Sequence, residues 1–407
     1  MAQIEKSRSP FYPGQPVSRE LFTGREIEIQ RLITRGLGQV AAGKPVAAFI
    51  QGEFGIGKSS IANMVGAVAE DTYGMHCIHA YLGGAKDLAD VARMILEATI
   101  KSGALHPSRS QAIRSFFAKY VGKQSLFGVT LDLSALKADA PQLASSSAIL
   151  SFLTEVRLRL GGLNVKGLVL ILDEINGITG NAAFAHFIKG LVDENASSAV
   201  PLPLFLVLCG VEERRHEMIS HHPPIDRVFD LVVEIGAMPE QDTKDFFVRA
   251  FESVAMTVLP SALDKLALYS AGLPKVMHSI GDAAFWSELD GTIDDKDVLR
   301  AVLEAAEDIG KKFVDQQILK TVRSRNYLSI LEKIAGVDPV SLNFKKVDVI
   351  PLLTADELKT FDNFLVKMKK LGVIKPGVAQ GEYEFAVRMV RVYLWLQNQK
   401  SIVPAAT

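Results

Sequence analysis

The stretch that decides the fold runs Gly52-Glu53-Phe54-Gly55-Ile56-Gly57-Lys58-Ser59, the pattern G-x-x-x-x-G-K-S. The apolar run 46–50 precedes it and predicts a buried parallel strand, and residues 60–68 follow it with the apolar spacing of a helix. Glycines let successive backbone N–H groups point inward, and a helix N-terminus adds partial positive charge. Lys58 is then placed to reach the β- and γ-phosphates, and the Ser59 hydroxyl to bind Mg²⁺. The stretch, with Ser60 after it, predicts a nucleoside-triphosphate site rather than a chance glycine-rich turn.

A second motif ends the apolar run 167–172, where two carboxylates follow at Asp173 and Glu174. In an ATP site, the first carboxylate holds the Mg²⁺ shell, directly or through water, and the second polarises the attacking water. The alternative is an ordinary parallel strand whose solvent-facing end is acidic. Because the first motif lies upstream, the sequence predicts that ATP and Mg²⁺ bind here, with Asp173 and Ser59 as metal ligands and Glu174 and Lys58 as catalytic residues.

Composition narrows the class of protein. The 407 residues are 48% hydrophobic and 22% charged, which is ordinary for a globular chain of about two or three domains. No apolar run approaches the roughly 18 residues of a membrane span, and no signal peptide is visible in residues 1–10. Cys77 and Cys209 lie in expected strands, which predicts free core thiols. These features predict a cytoplasmic protein without a membrane partner.

The order of elements divides the chain. Strands at 46–50, 75–81, 167–172, 204–210 and 231–235 alternate with helices up to Pro239, after which the pattern is helical. Alternation of this kind predicts an α/β fold, a parallel sheet flanked by helices. Helices are expected near 86–101, 108–121, 146–160 and 181–195, and an inserted loop or hairpin at 123–144. The expected domains are an irregular N-terminal arm at 1–20, an ATPase core at 21–238, a helical lid at 239–315, a winged helix-turn-helix at 316–400 and a tail at 401–407.

The C-terminal module is expected to hold three helices and a β-hairpin. A short second helix is predicted near 344–350, and a third begins at Thr354, whose Thr-x-x-Glu spacing is a capping box. In a chain of net charge −1, residues 311–400 carry 16 lysines and arginines against 9 acids. This basic balance predicts a polyanion partner such as duplex DNA. The alternatives are a solvated lysine face and a helical protein-interaction lid.

Taken in order, the motifs resemble the AAA+/STAND group of P-loop ATPases. Within that group the chain is similar to the initiator-type branch of origin-recognition and archaeal initiator proteins, and to related prokaryotic STAND ATPases. The resemblance covers residues 20–400. It is carried by Phe22-Thr23-Gly24-Arg25-Glu26, Gly52 to Ser59, Asp173-Glu174, Arg227, Gly272-Leu273-Pro274 and the C-terminal module.

The resemblance implies further site residues. Arg227 would be an arginine finger across a subunit boundary or a sensor in its own subunit, with an ordinary surface arginine as the alternative. The helix that starts at Pro274 would place Lys275 or His278 near the phosphates as a second sensor. The residues implied to pack near the adenine are Phe22, Thr23, Gly24 and Arg25.

Two departures from the family pattern affect the expected rate. The first sensor would fall on Cys209 or Gly210, which lack the usual polar side chain, and Lys275 stands where many relatives carry arginine. The implied ATPase is therefore slow, although nucleotide binding is unaffected.

The function predicted from these features is an ATP-binding and ATP-hydrolysing switch that forms homo-oligomers and acts on DNA or DNA-bound partners. Replication, mobile elements and defence are all compatible contexts. The alternative is a STAND-type signalling ATPase whose winged helix is a protein-interaction or autoinhibitory module. A metabolic kinase is disfavoured because nothing resembles a lid for a small substrate.

Overall fold

The structure, a computed structural model, describes residues 6, 8–13, 22, 24–53, 55–104, 109, 111–113, 144–310, 324–336, 343–371, 373–377, 379–385 and 388–402. The chain forms two compact units. The first is Arg25–Gly236, and the second combines the described residues of 1–24 with those of 237–407. The N-terminal arm, expected as a separate segment, therefore belongs to the second unit.

The first unit is built on a five-stranded sheet in which every pairing is parallel. Strands β1, β3 and β4 are buried almost throughout, because continuous apolar runs suit strands that helices cover on both faces. This confirms the predicted α/β fold class. In the order in which they lie in the sheet, the strands are β2 (His76–Tyr81), β3 (Leu168–Asp173), β4 (Leu204–Gly210), β1 (Val46–Gly52) and β5 (Leu231–Ile235).

Helices connect these strands. Ser145 and Asn181 cap two of them by accepting hydrogen bonds from the first turn, at 3.2 and 3.0 Å. The helix expected at 108–121 and the insertion expected at 123–144 lie largely outside the described residues. The helices are α1 (Glu26–Leu32), a π-helical turn (Ile33–Leu37), α2 (Gly38–Ala41), α3 (Lys58–Asp71), α4 (Leu88–Ala104), α5 (Ser146–Gly161), α6 (Ala182–Ser197) and α7 (Glu212–His221), with 3₁₀ turns at Ile175–Gly177 and Pro223–Val228.

The sheet places both motifs at one edge. All five strands run in the same direction, so their carboxyl ends lie along the same side. Gly52 ends β1, Asp173 ends β3 and Gly210 ends β4, the strand between them. The two motifs, more than 110 residues apart in the sequence, therefore meet at this edge.

The second unit begins with a group of helices after Pro239. Two short strands join it, where the sequence analysis expected only helices: Thr257 and Val258 pair in parallel with Thr292 and Ile293. A capping box at Asp294 and Asp297 starts the last helix of the group. The elements are α8 (Glu240–Glu252), β6 (Thr257–Val258), α9 (Pro260–Ser270), α10 (Pro274–Ser287), β7 (Thr292–Ile293) and α11 (Asp295–Ile309).

The N-terminal residues pack into this group. Phe11 is only 3% exposed, and its ring centroid lies 4.9 Å from that of Phe251. Gly281 makes room for it, because a Cβ there would lie 2.3 Å from the Phe11 ring. Residues 8–13 form no regular element, and Phe11 among them supplies part of the core of this unit.

The C-terminal part combines helices with a three-stranded antiparallel sheet in the order β8-β10-β9. The predicted capping box of Thr354 and Glu357 is present. The hairpin predicted from the sequence is part of this sheet. The third strand was not predicted: it occupies Asn343–Lys345, where a helix was expected to start. The elements are α12 (Arg325–Gly336), β8 (Asn343–Lys345), α13 (Lys346–Val349), a 3₁₀ turn (Ile350–Leu352), α14 (Ala355–Lys370), β9 (Ile374–Pro376), β10 (Glu382–Phe385) and α15 (Arg388–Ile402).

Among the described helices, none combines the length and the apolar character that crossing a membrane requires.

Candidate nucleotide-binding site

The glycine-rich loop has the backbone that its sequence predicts. Gly55 and Gly57 adopt φ values of 77° and 101°, in the region that glycine occupies without strain. Gly57 directly precedes α3, so the N–H groups of the first helical turn face the loop. At the start of the loop, a Cβ on Gly52 would lie 2.5 Å from the carbonyl oxygen of Ile235. The loop is therefore a backbone cradle of the kind that holds phosphates. The predicted contact residue Phe54 lies outside the described residues.

Lys58 points back into this loop. Its Nζ donates to the carbonyl oxygens of Gly52 at 2.8 Å and Glu53 at 2.7 Å. Burial lowers the pKa of Lys58, and the negative groups around it, including Asp173, act in the opposite direction. The ammonium is thus already inside the loop that would receive the phosphates, held by carbonyl oxygens that a phosphate oxygen can replace.

Asp173 is the most enclosed carboxylate of the site, at 1% exposure. Its Oδ1 accepts from the Glu174 N–H at 2.8 Å, and its Oδ2 lies 3.1 Å from Nε2 of His79. Burial would raise the pKa of Asp173, but hydrogen bonds from His79 and Ser59 lower it overall. The carboxylate is therefore held in its charged form.

The residues present fit a magnesium ion. Ser59 and Asp173, the two predicted ligands, lie close enough for the Ser59 hydroxyl to lower the pKa of Asp173, and both offer the oxygen donors that Mg²⁺ prefers. In the described part of the chain, no group of three or more His, Cys, Asp or Glu side chains could hold a metal ion. In an ATP site, Mg²⁺ takes one or two protein ligands and completes its shell with phosphate oxygens and waters, which matches the pair of Ser59 and Asp173.

Glu174 has an unusual backbone. Its φ of 55° and ψ of 41° place a non-glycine residue in the left-handed region, which is uncommon and concentrates at functional positions. Its side chain is exposed at the carboxyl edge of the sheet. The turn after β2 leaves space for it, because a Cβ on Gly83 would lie 2.5 Å from Oε2 of Glu174.

The end of β4 carries no polar side chain, as the sequence analysis expected. Cys209 is fully buried, and burial raises the pKa of its thiol, so it stays uncharged. The polar residue at this end comes from another element: Oδ1 of Asn176 accepts from the N–H of Val211 at 3.4 Å. Asn176 follows the two carboxylates by two residues, and this proximity in the sequence was the available signal for it.

Several implied site residues belong to the second unit. Gly24 has a φ of 74°, Pro274 begins α10, and Phe22 and Lys275 also lie in this unit. Thr23 lies outside the described residues. The roles of these residues near the adenine and the phosphates stay predictions.

His278, the alternative second sensor, is a core residue instead. It is 3% exposed and its Nδ1 accepts from the N–H of Tyr12 at 3.1 Å. Its ring packs edge-on against Phe246 with the centroids 5.0 Å apart, and burial lowers its pKa to about 4. A neutral, enclosed imidazole does not contact phosphate, so the prediction for this residue was wrong.

Arg25 connects the two ends of the first unit. Its guanidinium donates to the carbonyl oxygen of Gly236 and lies 3.5 Å from Oε1 of Glu28. At 8% exposure, it holds the start of α1 against the segment that follows β5. Its role near the adenine stays a prediction.

Arg227 lies on the 3₁₀ turn before β5 and is exposed. Its neighbour Asp226 pairs with Arg215, whose Nε also donates to Gln51 at 3.1 Å. The Arg227 guanidinium, by contrast, has no ion-pair partner among the described residues. Its role as a finger or sensor stays a prediction.

Besides Asn176, two further residues of the site are not predicted from the sequence, Asn63 and His79. Asn63 follows Ser59 by one helical turn on α3, and His79 lies on β2 beside the strand that ends in Asp173. Their ring and amide groups are 2.7 Å apart, between His79 Nδ1 and Asn63 Oδ1. The available signals were the i, i+4 spacing from Ser59 and a polar residue in an apolar strand.

No family model and no curated protein matches the chain. Among solved structures, a Walker-type ATPase of Pyrococcus abyssi is similar with a TM-score of 0.60 and 16% identity, covering 95% of this chain and 99% of the other. The ORC2 protein of Aeropyrum pernix, solved as ADPNP–ADP complexes, is similar with a TM-score of 0.61 and 14% identity, covering 98% and 99%. At these identities the likeness shows the fold. The chain thus has the fold of this Walker-type ATPase and of this ORC2 protein, as its motifs predicted.

Proposed function

We propose that this protein is an ATP-dependent switch that binds ATP with Mg²⁺, hydrolyses it slowly and changes its association with other subunits as it does so. The observation that carries the proposal is the meeting of Lys58, Ser59, Asp173 and Glu174 at one edge of the sheet. The fold is shared with proteins named Walker-type ATPase and ORC2, the latter solved with ADPNP and ADP.

Each residue has one task in this proposal. Lys58 binds the β- and γ-phosphates, while Ser59 and Asp173 hold the metal. Bound Mg²⁺ neutralises charge on the phosphates. Glu174 orients a water molecule for in-line attack and accepts its proton, from an exposed position that Gly83 leaves open. Because β4 ends in Cys209 and Gly210, no side chain there senses the γ-phosphate, which favours slow turnover.

Arg227 is the residue that links hydrolysis to assembly in this proposal. It is exposed, and its guanidinium has no carboxylate partner in the described chain. An arginine supplied by a neighbouring subunit stabilises the charge of the transition state. ATP would therefore order subunits side by side, and hydrolysis would release them.

The C-terminal part supports a winged helix-turn-helix that contacts duplex DNA. Three helices and an antiparallel sheet are present in the expected order, with α14 as the third helix. Three lysines end α14, and in the described chain none of them pairs with a carboxylate: Lys367, Lys369 and Lys370. Lysines at this place suit phosphates, which position a protein on DNA without reading its sequence.

One observation favours the second candidate, a protein-interaction module. The exposed side of α14 carries Leu358 and Val366, which are 48% and 61% exposed, and Asp362 lies between them in the helix. Exposed apolar side chains that share one side of a helix are typical of a surface that docks a protein. A signalling ATPase that docks a protein on this helix would show little affinity for DNA and little dependence on salt.

The experiment that tests the central proposal compares the parent protein with Lys58→Ala. A fluorescent ATP analogue should bind the parent and lose most of its affinity for the variant, while both proteins melt at the same temperature. Phosphate release should be slow but measurable in the parent alone. A folded variant that binds the analogue as tightly as the parent would overturn the assignment.

A further inference from the structure

Three side chains outside the two motifs form a cluster beside Asp173. His79 Nδ1 lies 2.7 Å from Oδ1 of Asn63, and His79 Nε2 lies 3.1 Å from Oδ2 of Asp173. Tyr81 stacks on the imidazole, with ring centroids 4.3 Å apart and planes inclined by 16°. Asn63 lies on α3, and His79 and Tyr81 lie on β2. Through Asp173, the cluster also contacts β3, so it connects the two elements that carry the predicted Mg²⁺ ligands.

The identity of the partner, Asp173, determines that Nε2 of His79 carries a proton. Oδ2 of Asp173 lies 3.1 Å from this nitrogen. A carboxylate only accepts hydrogen bonds, so Nε2 of His79 must donate. The Asn63 amide can present either Oδ1 or its NH₂ group to Nδ1. In either arrangement the Nε2–H bond to Asp173 is the same.

This bond fixes the orientation of the carboxylate. Asp173 Oδ1 is held by the Glu174 N–H at 2.8 Å and Oδ2 by His79, so rotation of the carboxylate would break both bonds. Asp173 is 1% exposed, and little water is available to replace a lost donor. The imidazole itself is held by Asn63 on one side and by the Tyr81 ring on its face.

We propose that His79 is a positioning residue for the Mg²⁺ site, which acts through Asp173 and is itself oriented by Asn63. This rests on the proposed function, since it assigns a partner to the carboxylate that would hold the metal. Groups that orient a metal ligand contribute a factor of about 10–100 to metal affinity. The cluster thereby separates metal binding from phosphate binding, which depends on the loop and Lys58.

The test measures the binding of a fluorescent ATP analogue in two ways: in excess EDTA, and across a Mg²⁺ titration. In His79→Phe a ring that can stack on Tyr81 is kept and both ring nitrogens are lost. We expect the Mg²⁺ concentration at half-effect to rise about 10–100-fold, with the affinity in EDTA unchanged. In His79→Gln the amide can donate to Asp173 from the place of Nε2, and most of the Mg²⁺ response should return. His216→Phe, the same change at an exposed histidine of α7, is the matched control and should respond like the parent.

The outcomes are distinct. If His79→Phe responds to Mg²⁺ like the parent, or if it loses affinity equally with and without Mg²⁺, the positioning role is overturned. If His79→Phe does not fold, Asn63→Ala is used instead, because it removes a group that orients His79 and leaves the imidazole in place. An unchanged Mg²⁺ response in Asn63→Ala would also overturn the positioning role of His79. If the parent protein binds no nucleotide either in EDTA or with Mg²⁺, the result would instead contradict the proposed function itself.

Discussion

The Oε2 atom of Glu174 lies 2.5 Å from the point where a Cβ on Gly83 would be, so the turn after β2 is shaped around this carboxylate. Glu174 also has a left-handed backbone that only the surrounding structure can maintain. The turn after β2 and the residue after β3 are distant in sequence, and together they define the position of the carboxylate that would orient the attacking water.

This relationship gives the first prediction. Glu174→Gln should bind ATP like the parent and release phosphate at a rate lower by about 10²–10⁴, because it removes the general base. Gly83→Ala keeps the carboxylate of Glu174 but shifts its position. It should lower the rate of phosphate release without changing the affinity for ATP. Steady-state phosphate release and binding of an ATP analogue measure the two effects.

Gly84→Ala is the matched control, because a Cβ there meets only the end of Met94 at 3.7 Å. It should turn over at the parent rate. Equal rates in Glu174→Gln and the parent would mean that this carboxylate is merely the acidic end of a strand.

Much of the first unit could be predicted from the sequence because its signals are local. The apolar runs of β1, β3 and β4 are dense enough to identify buried parallel strands, and β5 was expected at 231–235, where it lies. Both motifs were found for the same reason: each is a short pattern whose chemistry depends on its own residues and the strand before it.

The rest depends on contacts between distant residues. Phe11 lies in an irregular, proline-rich segment without periodicity, and only the space left by Gly281 shows that it is a core residue. His278 has the right distance from Pro274 for a sensor, but the packing of Phe246 and Tyr12 encloses it. The contact of His79 with Asp173 requires β2 to lie beside β3, an order that the sequence does not state.

The second prediction concerns stability in acid. Glu357 is buried and accepts hydrogen bonds from Ser329 Oγ at 2.7 Å, Lys333 Nζ at 2.6 Å and the Thr354 N–H at 2.7 Å. Burial alone would raise its pKa, but the bonds from Lys333 and Thr354 lower it to about 2. The folded state thus favours the charged form. Its stabilising contribution is complete above the unfolded pKa of about 4.3 and is lost as the pH falls through about 2.

Glu357→Gln should therefore be less stable than the parent at pH 7 by about 1.5–3 kcal/mol, the range for hydrogen bonds to a charged group. The difference should shrink below pH 4.3 and vanish near pH 2. Urea unfolding followed by tryptophan fluorescence suits this test, because both tryptophans, Trp286 and Trp395, belong to the same unit as Glu357. Asp348→Asn, at an exposed carboxylate, is the control and should show no such change. A difference that is constant with pH would contradict the assigned bonds.

The third prediction concerns Arg227, which is exposed on the turn before β5. If it acts on the ATP of a neighbouring subunit, Arg227→Ala should lose about 10³–10⁵ in the rate of hydrolysis, the contribution of an arginine finger. Mixing it with Lys58→Ala should restore part of the activity, because one kind of mixed interface then holds an intact loop and an intact arginine.

Arg159→Ala is the matched control, since Arg159 is exposed on α5 and pairs with Glu155 of its own helix at 2.9 Å. It should hydrolyse ATP like the parent. Light scattering must show that the mixed proteins assemble. Mixed oligomers without recovered activity would place Arg227 in its own subunit, as a sensor or as a surface residue.

The last prediction separates DNA from protein as the partner of the C-terminal part. Lys359 pairs with Asp356, Lys346 with Asp362 and Lys375 with Glu384, so these lysines already have carboxylate partners. Lys367, Lys369 and Lys370, at the end of α14, have no such partner in the described chain, and Lys369 lies over the ring of Tyr383 at 5.9 Å. They are the lysines from which phosphate contacts are expected.

Each neutralised phosphate contributes a slope of about −0.9 to log K against log salt concentration on duplex DNA. Replacing Lys367, Lys369 and Lys370 by alanine should weaken binding equally for unrelated sequences and flatten the slope by up to about three units, while ATP binding stays unchanged. The matched control replaces three exposed lysines of the first unit, Lys44, Lys86 and Lys166, and should keep the parent slope.

If the parent has no salt-dependent affinity for DNA, the partner is expected to be a protein that binds the exposed Leu358 and Val366. Leu358→Ser with Val366→Ser should then abolish capture of that partner and leave ATP binding intact.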